Sequence, residues 1–135
     1  MQAVILVLAV LILAVLVYRM WRPPVEAPKR KVPKDEATLY FFYTNWCGWS
    51  KKAMPEWQKL EATVSKTPVF GTTTVKTERV DAEDDPKRAT LYEIEGYPTI
   101  LLETPDGIYR YSKLPTHSGL LEFLRDTLGE PRARL

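Results

Sequence analysis

The chain contains a single cysteine, Cys47, and a single histidine, His117, among 135 residues. One thiol excludes an intrachain disulfide. It also excludes autonomous dithiol redox turnover, because a thiol that captures a disulfide needs a second thiol to release it. No set of residues with metal-ligand spacing exists. The acidic run at 81–85 lacks the glycine and the distal glutamate of a calcium loop. The sequence therefore predicts neither a metal site nor a cofactor.

Glycine is scarce, and neither sign of charge is in excess over most of the chain. The six glycines are scattered, so no glycine-rich phosphate-binding loop is predicted. Residues 38–135 hold 13 Lys and Arg against 14 Asp and Glu. This part has no basic field that would attract nucleic acid, and no nucleic-acid partner is predicted.

Residues 3–17 contain no polar side chain. A helix from Met1 to Trp21 would measure about 30 Å, the thickness of a bilayer core. We therefore predict a transmembrane anchor over residues 1–21, with the lipid bilayer as its partner. The alternative is a cleaved signal peptide, but no basic residue precedes the run and no A-x-A site follows it. Lys and Arg after the run place the C-terminal part of this single-pass protein on the cytosolic side.

The rest of the chain divides into a linker, a domain and a tail. Four prolines in residues 22–37 favour a stiff, extended linker. Residues 38–128 alternate between strand and helix patterns, and residues 129–135 form a tail. Strands are predicted at 38–43, 73–82, 98–103 and 108–112, and helices at 46–64, 85–94 and 116–128.

The element order is β-α-β-α-β-β-α. Strands separated by helices favour parallel pairing, and the turn at Pro105-Asp106-Gly107 favours an antiparallel hairpin. We therefore predict an α/β domain with a mixed four-stranded sheet and helices on both faces.

The segment YFFYTNWCGWSKKAMPEW (40–57) and the later Gly96-Tyr97-Pro98-Thr99 resemble two motifs of the thioredoxin superfamily, and the first resembles protein disulfide isomerase domains most. The resemblance covers residues 38–128 and implies a thioredoxin-like fold in its minimal form. An anchored chain of this length is also loosely similar to thioredoxin-like chains of large DNA viruses. That likeness implies a viral membrane or virion as one location.

The resemblance implies roles for individual residues. Cys47 matches the nucleophilic cysteine, and its predicted place at a helix N-terminus would independently stabilise a thiolate. Ser50 stands where the second cysteine is usual and can donate a hydrogen bond to that thiolate. Pro98 matches a cis-proline whose preceding residue presents its backbone to an extended client. The candidate catalytic residues are Cys47 and Ser50, and the candidate client-binding residues are Trp46, Gly48, Trp49, Tyr97 and Pro98.

Two departures from the family pattern bear on function. Ser50 cannot resolve a mixed disulfide, so an outside thiol such as glutathione would have to do so. Phe41 occupies the position, six residues before Cys47, where the family usually has a buried acid. Cys47-Gly48-Trp49-Ser50 also resembles the C-G-F-S of monothiol glutaredoxins. However, the nearby lysine, the T-V-P and the Gly-Gly loop of those iron–sulfur proteins are missing.

Two functions stay open from the sequence. The first is a client-binding or assembly module with little redox turnover. The second is monothiol thiol–disulfide exchange through Cys47, with glutathione as the second thiol.

Overall fold

A computed structural model of the chain describes residues 1–20 and 31–132. The elements run in the order α1 (Gln2–Met20), β1 (Glu36–Tyr43), α2 (Gly48–Lys66), β2 (Val69–Phe70), β3 (Thr73–Asp81), α3 (Pro86–Leu91), β4 (Thr99–Thr104), β5 (Gly107–Tyr111), α4 (His117–Leu128) and β6 (Pro131–Arg132). Most of the predicted linker falls on residues outside the described ranges.

Six strands form one mixed sheet in the order β5-β4-β1-β3-β2-β6. The predicted four-stranded sheet was therefore wrong, because β2 and β6 add two strands beyond β3. Each has only two residues, too few to show any periodicity in the sequence. They pair antiparallel, with Val69 opposite Arg132 and Phe70 opposite Pro131.

Strand β1 lies in the interior of the sheet. It runs parallel to β3 on one side, as predicted, and antiparallel to β4 on the other, which the prediction of parallel pairing missed. Both faces of β1 are covered, and this explains why its sequence is apolar without alternation. Leu39 and Phe41 point into one core with α2 and α4, whereas Tyr40 and Phe42 point into a second core with α3.

Helix α2 lies on one face of the sheet through a buried stripe at helical spacing, which consists of Ser50, Ala53, Trp57, Leu60 and Val64. It continues through Pro55. Helix α3 begins after Asp85, whose carboxylate accepts the Arg88 N–H at 3.0 Å. Helix α4 begins after Thr116, whose hydroxyl accepts the Gly119 N–H at 3.2 Å, so Thr116 and not Ser118 is the cap.

Helix α1 corrects the predicted anchor. Within residues 1–20 and 31–132, no helix combines the length and the apolar character needed to cross a membrane. The predicted span of residues 1–21 reached the thickness of a bilayer core only by adding the polar and aromatic residues that flank the apolar run of residues 3–17. The localisation that was inferred with this anchor stays a prediction.

Candidate functional site around Cys47

Cys47 lies at the end of the loop that connects β1 to α2, and it is the N-cap residue of that helix. Its backbone is extended, with φ −77° and ψ 119°, because a cap residue must leave the strand before the first helical turn begins. The side chain is half-buried. Its Sγ lies 3.4 Å from the carbonyl oxygen of Tyr97, to which the thiol donates a hydrogen bond. The two sequence motifs, 50 residues apart, therefore meet at the sulfur atom.

The surroundings of Cys47 lower the pKa of its thiol. The largest cause is the backbone N–H of Ser50, which faces the sulfur. Partial desolvation opposes this effect, and the Ser50 hydroxyl and the Trp49 N–H reinforce it. Sγ makes no capping hydrogen bond to the N-terminal N–H groups of α2. These N–H groups can donate to the sulfur once the thiol has lost its proton, and this favours the thiolate. Cys47 thus lies at the helix N-terminus, where backbone N–H groups favour a thiolate, and its role as the nucleophile stays a prediction.

Ser50 lies beneath Cys47 with only 1% of its surface exposed. Its hydroxyl oxygen is 3.5 Å from the Thr44 N–H, which donates to it, so the side chain is held between the strand end and the helix. Beside it is a cavity of about 270 Å³, lined by Tyr43, Thr44, Asn45, Ser50, Lys51, Met54 and Pro55. The position that carries a second thiol in the family pattern thus carries a buried hydroxyl, close to the sulfur of Cys47.

Two tryptophans flank Cys47 on the surface. Trp46 is 67% exposed and Trp49 is 62% exposed, which is unusual for the largest apolar side chain. The Trp46 ring meets Tyr97 edge-on at 6.4 Å between centroids. Gly48 separates the two tryptophans, and a Cβ placed on it would meet no atom within 4 Å. We call these four residues, Trp46, Gly48, Trp49 and Tyr97, the Trp platform, and its Tyr97 carbonyl oxygen contacts the sulfur.

The Tyr97–Pro98 peptide bond is cis, as the resemblance implied. It lies directly before β4, which begins at Thr99. The Thr99 hydroxyl donates to the Gly96 carbonyl at 2.7 Å and closes the loop that carries Tyr97. All seven predicted site residues thus lie in or beside one surface region, although their individual roles stay predictions.

Phe41 is fully buried and stacks on Trp57 at 5.0 Å between ring centroids. No described residue bonds to the Trp57 Nε1–H, which is also buried. The core beneath the site is therefore aromatic, and the position that resembles the family's acid carries no proton acceptor.

A buried carboxyl group does exist, but on the opposite face of the sheet. Glu103 is 4% exposed, and its Oε2 accepts the hydroxyls of Tyr40 and Tyr92 at 3.1 and 3.0 Å. Burial, more than any other cause, raises the pKa of Tyr92. Sequence reasoning missed this cluster, although one acidic residue ending the apolar run PTILLE (98–103) was a signal for it.

Two other contacts hold neighbouring elements of the fold together. The Asn45 side-chain amide donates to Asp81 Oδ2 at 2.5 Å and so ties the loop before Cys47 to the end of β3. This contact was not predicted. His117 Nε2 lies 3.0 Å from the Thr63 hydroxyl oxygen, and the His117 backbone N–H donates to Glu56 Oε2 at 2.8 Å. His117 therefore links α4 to α2. Among the described residues, no three potential metal ligands cluster.

Comparisons with known proteins agree with this geometry. A sequence model of the family described as Thioredoxin matches residues 25–126. The chain is 36% identical over 72 residues to Protein disulfide isomerase-like 2-1 of Oryza sativa subsp. japonica, covering 53% of this chain and 18% of that protein. It is 34% identical over 98 residues to Protein disulfide-isomerase TMX3 of Mus musculus, covering 71% of this chain and 20% of that protein.

The fold is also found among solved structures. The first thioredoxin domain of mouse Protein disulfide-isomerase A4 superposes with a TM-score of 0.58 at 26% identity, over 70% of this chain and 64% of that one. The thioredoxin-like α/β fold is therefore confirmed. The chain spans about a fifth of the curated relatives named above. None of these comparisons supports the viral likeness.

Proposed function

Because the chain belongs to the thioredoxin family, we propose that it binds protein clients at the Trp platform and holds them through a mixed disulfide at Cys47, without completing a redox cycle itself. The observation that carries this proposal is the position of the only thiol. Its sulfur lies at the N-terminus of α2, 3.4 Å from the Tyr97 carbonyl oxygen, and Cys47 stands in the sequence between two exposed tryptophans, Trp46 and Trp49.

The geometry supports capture of a client. The lowered pKa of Cys47 increases the thiolate fraction at neutral pH, and the thiolate is the attacking species. The exposed rings of Trp46 and Trp49 supply a rigid apolar contact for a client segment. The loop that ends at Pro98 offers the Tyr97 backbone to an extended chain.

The chemistry is an exchange that is neutral in electrons. The Cys47 thiolate attacks one sulfur of a client disulfide, so a new S–S bond forms and the second client sulfur leaves as a thiolate. Release requires a third thiolate, from the client or from a small thiol such as glutathione. That thiolate attacks the mixed disulfide and returns Cys47 as a thiolate.

Two buried positions argue against turnover within the chain. Ser50 has no sulfur with which to expel the client. Phe41 stacks on Trp57 where an acid would otherwise accept a proton. These two positions also favour the second candidate, a binding or assembly module that works without covalent chemistry.

The test is the rate of iodoacetamide alkylation of the purified chain between pH 5 and 10. Cys47 is the only cysteine, so the reaction reports on it alone. We expect an apparent pKa below the free-thiol value of about 8.5. An apparent pKa at or above that value would contradict covalent capture and leave the non-covalent module.

A second measurement distinguishes the two functions. The chain is mixed with a disulfide-containing unfolded protein and separated on a non-reducing gel, with Cys47→Ala as the matched control. We expect a mixed disulfide for the natural chain only, and we expect added glutathione to dissolve it. Equal retention of the unfolded protein by both chains would favour the non-covalent module.

A further inference from the structure

We infer that the cavity beside Ser50 binds a small carboxylate with a short apolar body, and that an occupant of this cavity makes Cys47 less reactive. The inference goes beyond the proposed function, because it assigns a ligand to a part of the surface that contains no residue of the Trp platform. It follows from the residues that line the cavity, namely Tyr43, Thr44, Asn45, Ser50, Lys51, Met54 and Pro55.

One part of the cavity wall is apolar. Tyr43 and Met54 are half-buried and pack against the core that α2 and α4 share with the sheet, and Pro55 follows Met54 in α2. The core holds these side chains in place, so the wall exists before a ligand binds. The volume of about 270 Å³ lies near the lower limit for cavities that hold small molecules. The cavity therefore suits a short aliphatic group and not a long chain.

Three side chains that can donate hydrogen bonds line the same cavity. Thr44 is 3% exposed, and among the described residues no group bonds to its buried Oγ1. A buried hydroxyl without a partner is rare and unfavourable, and a bound acceptor would satisfy it. The Ser50 oxygen accepts the Thr44 N–H at 3.5 Å, which leaves the Ser50 hydroxyl hydrogen available for donation. Two hydroxyls and the ammonium group of Lys51 together suit a carboxylate.

The charges around the cavity also favour an anion. None of its lining residues is acidic, and no carboxylate of the described residues lies at ion-pairing distance from Lys51. Asp81 reaches the loop at Asn45, but its Oδ2 already accepts the Asn45 amide at 2.5 Å. Lys51 lies near the N-terminus of α2, where a positive charge is unfavourable for the helix itself. Helix stability thus does not explain this lysine, whereas an anionic ligand does.

Ser50 connects the cavity to Cys47. Its backbone N–H is the largest cause that lowers the pKa of Cys47, and its hydroxyl lowers this pKa further. A hydroxyl has one hydrogen, so a hydroxyl that donates to a bound carboxylate no longer donates to the Cys47 thiolate. The negative charge of the ligand also disfavours a second negative charge nearby. A bound carboxylate should therefore raise the pKa of Cys47 and slow its reactions near neutral pH.

The experiment uses the full chain with isovalerate as the probe and isovaleramide as the uncharged control of the same shape. The rate of iodoacetamide alkylation is measured at pH 7 against isovalerate concentration at constant ionic strength. We expect the rate to fall about threefold at saturation, with half of the effect at about 1 mM, an affinity that so small a ligand can reach. At a pH well above the pKa of Cys47 the rate should not change, because the thiol is then fully ionised.

Nuclear magnetic resonance locates the ligand independently of the reaction. In an isotopically labelled chain, the backbone amide signals of Thr44, Ser50 and Lys51 should shift with isovalerate and follow the same concentration dependence as the alkylation rate. Isovaleramide should leave both the signals and the rate nearly unchanged, since it cannot use the charge of Lys51.

Three variants test the donors. Lys51→Met keeps the aliphatic stem and removes the ammonium group, and Thr44→Val keeps the shape and removes the hydroxyl. Each should weaken isovalerate binding by about tenfold, and Thr44→Val should not lower the urea midpoint, because its hydroxyl has no partner to lose. Lys52→Met is the matched control. Lys52 is as exposed as Lys51, but its Nζ lies 4.8 Å from the centroid of the Trp49 ring, and this variant should bind isovalerate normally.

Three results would overturn the inference. Unchanged amide signals at every isovalerate concentration would show that the cavity is not a carboxylate site. Equal slowing by isovaleramide, or by isovalerate in Lys51→Met, would refute recognition of the charge. Shifted amide signals with an unchanged rate would refute the link to Cys47. The rate without isovalerate tests the proposed capture separately, so a failure of that proposal is distinguishable from each of these results.

Discussion

Replacing Gly71 with alanine should strongly destabilise the domain, because this glycine lies where two backbone segments meet. Gly71 has a φ of +58°, and a Cβ built on it would lie 2.1 Å from the Leu128 carbonyl oxygen at the end of α4. Its N–H also donates to the Glu130 carbonyl at 2.8 Å, which leads directly into β6. The substitution therefore tests the junction that makes the sheet six-stranded.

The magnitude follows from two costs. A left-handed backbone at a residue with a side chain costs about 1–2 kcal/mol. Real Cβ contacts essentially never fall below 3.0 Å, so the main chain at Leu128 or at Gly71 must move by about 0.9 Å. Neither partner is a flexible side chain that could rotate away. The strained backbone and the movement of the main chain should together lower the free energy of unfolding by about 2–4 kcal/mol, well above the usual effect of a surface substitution.

The assay is urea unfolding followed by tryptophan fluorescence. Gly96→Ala is the matched control, because a Cβ there would meet no atom within 4 Å. We expect the midpoint for Gly71→Ala to fall well below that of the control. If the two variants unfold within about 0.5 kcal/mol of each other, the close approach of α4 to the β2–β3 turn is refuted, and the β2–β6 pairing loses its support.

Three further predictions concern the site and the second core. Ser50→Ala should raise the pKa of Cys47, since it removes a hydroxyl that lowers this pKa, and alkylation near neutral pH should slow. A pKa of Cys47 that is lower in the folded than in the unfolded chain stabilises the fold at pH above about 8.5. That contribution should disappear as pH falls through the pKa of Cys47 in the folded chain. Urea titrations at several pH values should therefore show that the free energy of unfolding of the natural chain, relative to that of Cys47→Ser, increases as pH rises. Tyr92→Phe removes a hydroxyl that donates to Glu103 at 3.0 Å and should cost about 1 kcal/mol in urea unfolding, whereas Tyr109→Phe on the exposed edge strand should cost less.

The sequence predicted those parts of the fold that have enough residues to show a pattern. Strand β1 was found as a continuous apolar run, and α2 was found through its buried stripe at helical spacing. Strands β2 and β6 were missed because each has two residues and depends on the close approach at Gly71. The antiparallel sense of β4 was missed because a helix between two strands usually indicates a parallel pair.

The site was predicted best where a local motif determined it. Cys47 and the Tyr97–Pro98 bond are brought together as the resemblance implied, and Phe41 is buried beneath them. Contacts between distant segments were not predictable. The Asn45–Asp81 hydrogen bond and the Glu103 cluster involve residue pairs that no spacing in the sequence connects.

The aromatic floor beneath the site has a kinetic consequence. Among the described residues, Phe41 and Trp57 fill the core where the family pattern has an acid, and Ser50 supplies no competing sulfur. If a client is attached as proposed, no second thiol of this chain can release it, because Cys47 is the only cysteine. The half-life of the attachment is then inversely proportional to the concentration of thiolate in the surroundings. The dwell time on a client would thus follow the redox state of the compartment, long where thiols are dilute and brief where they are abundant.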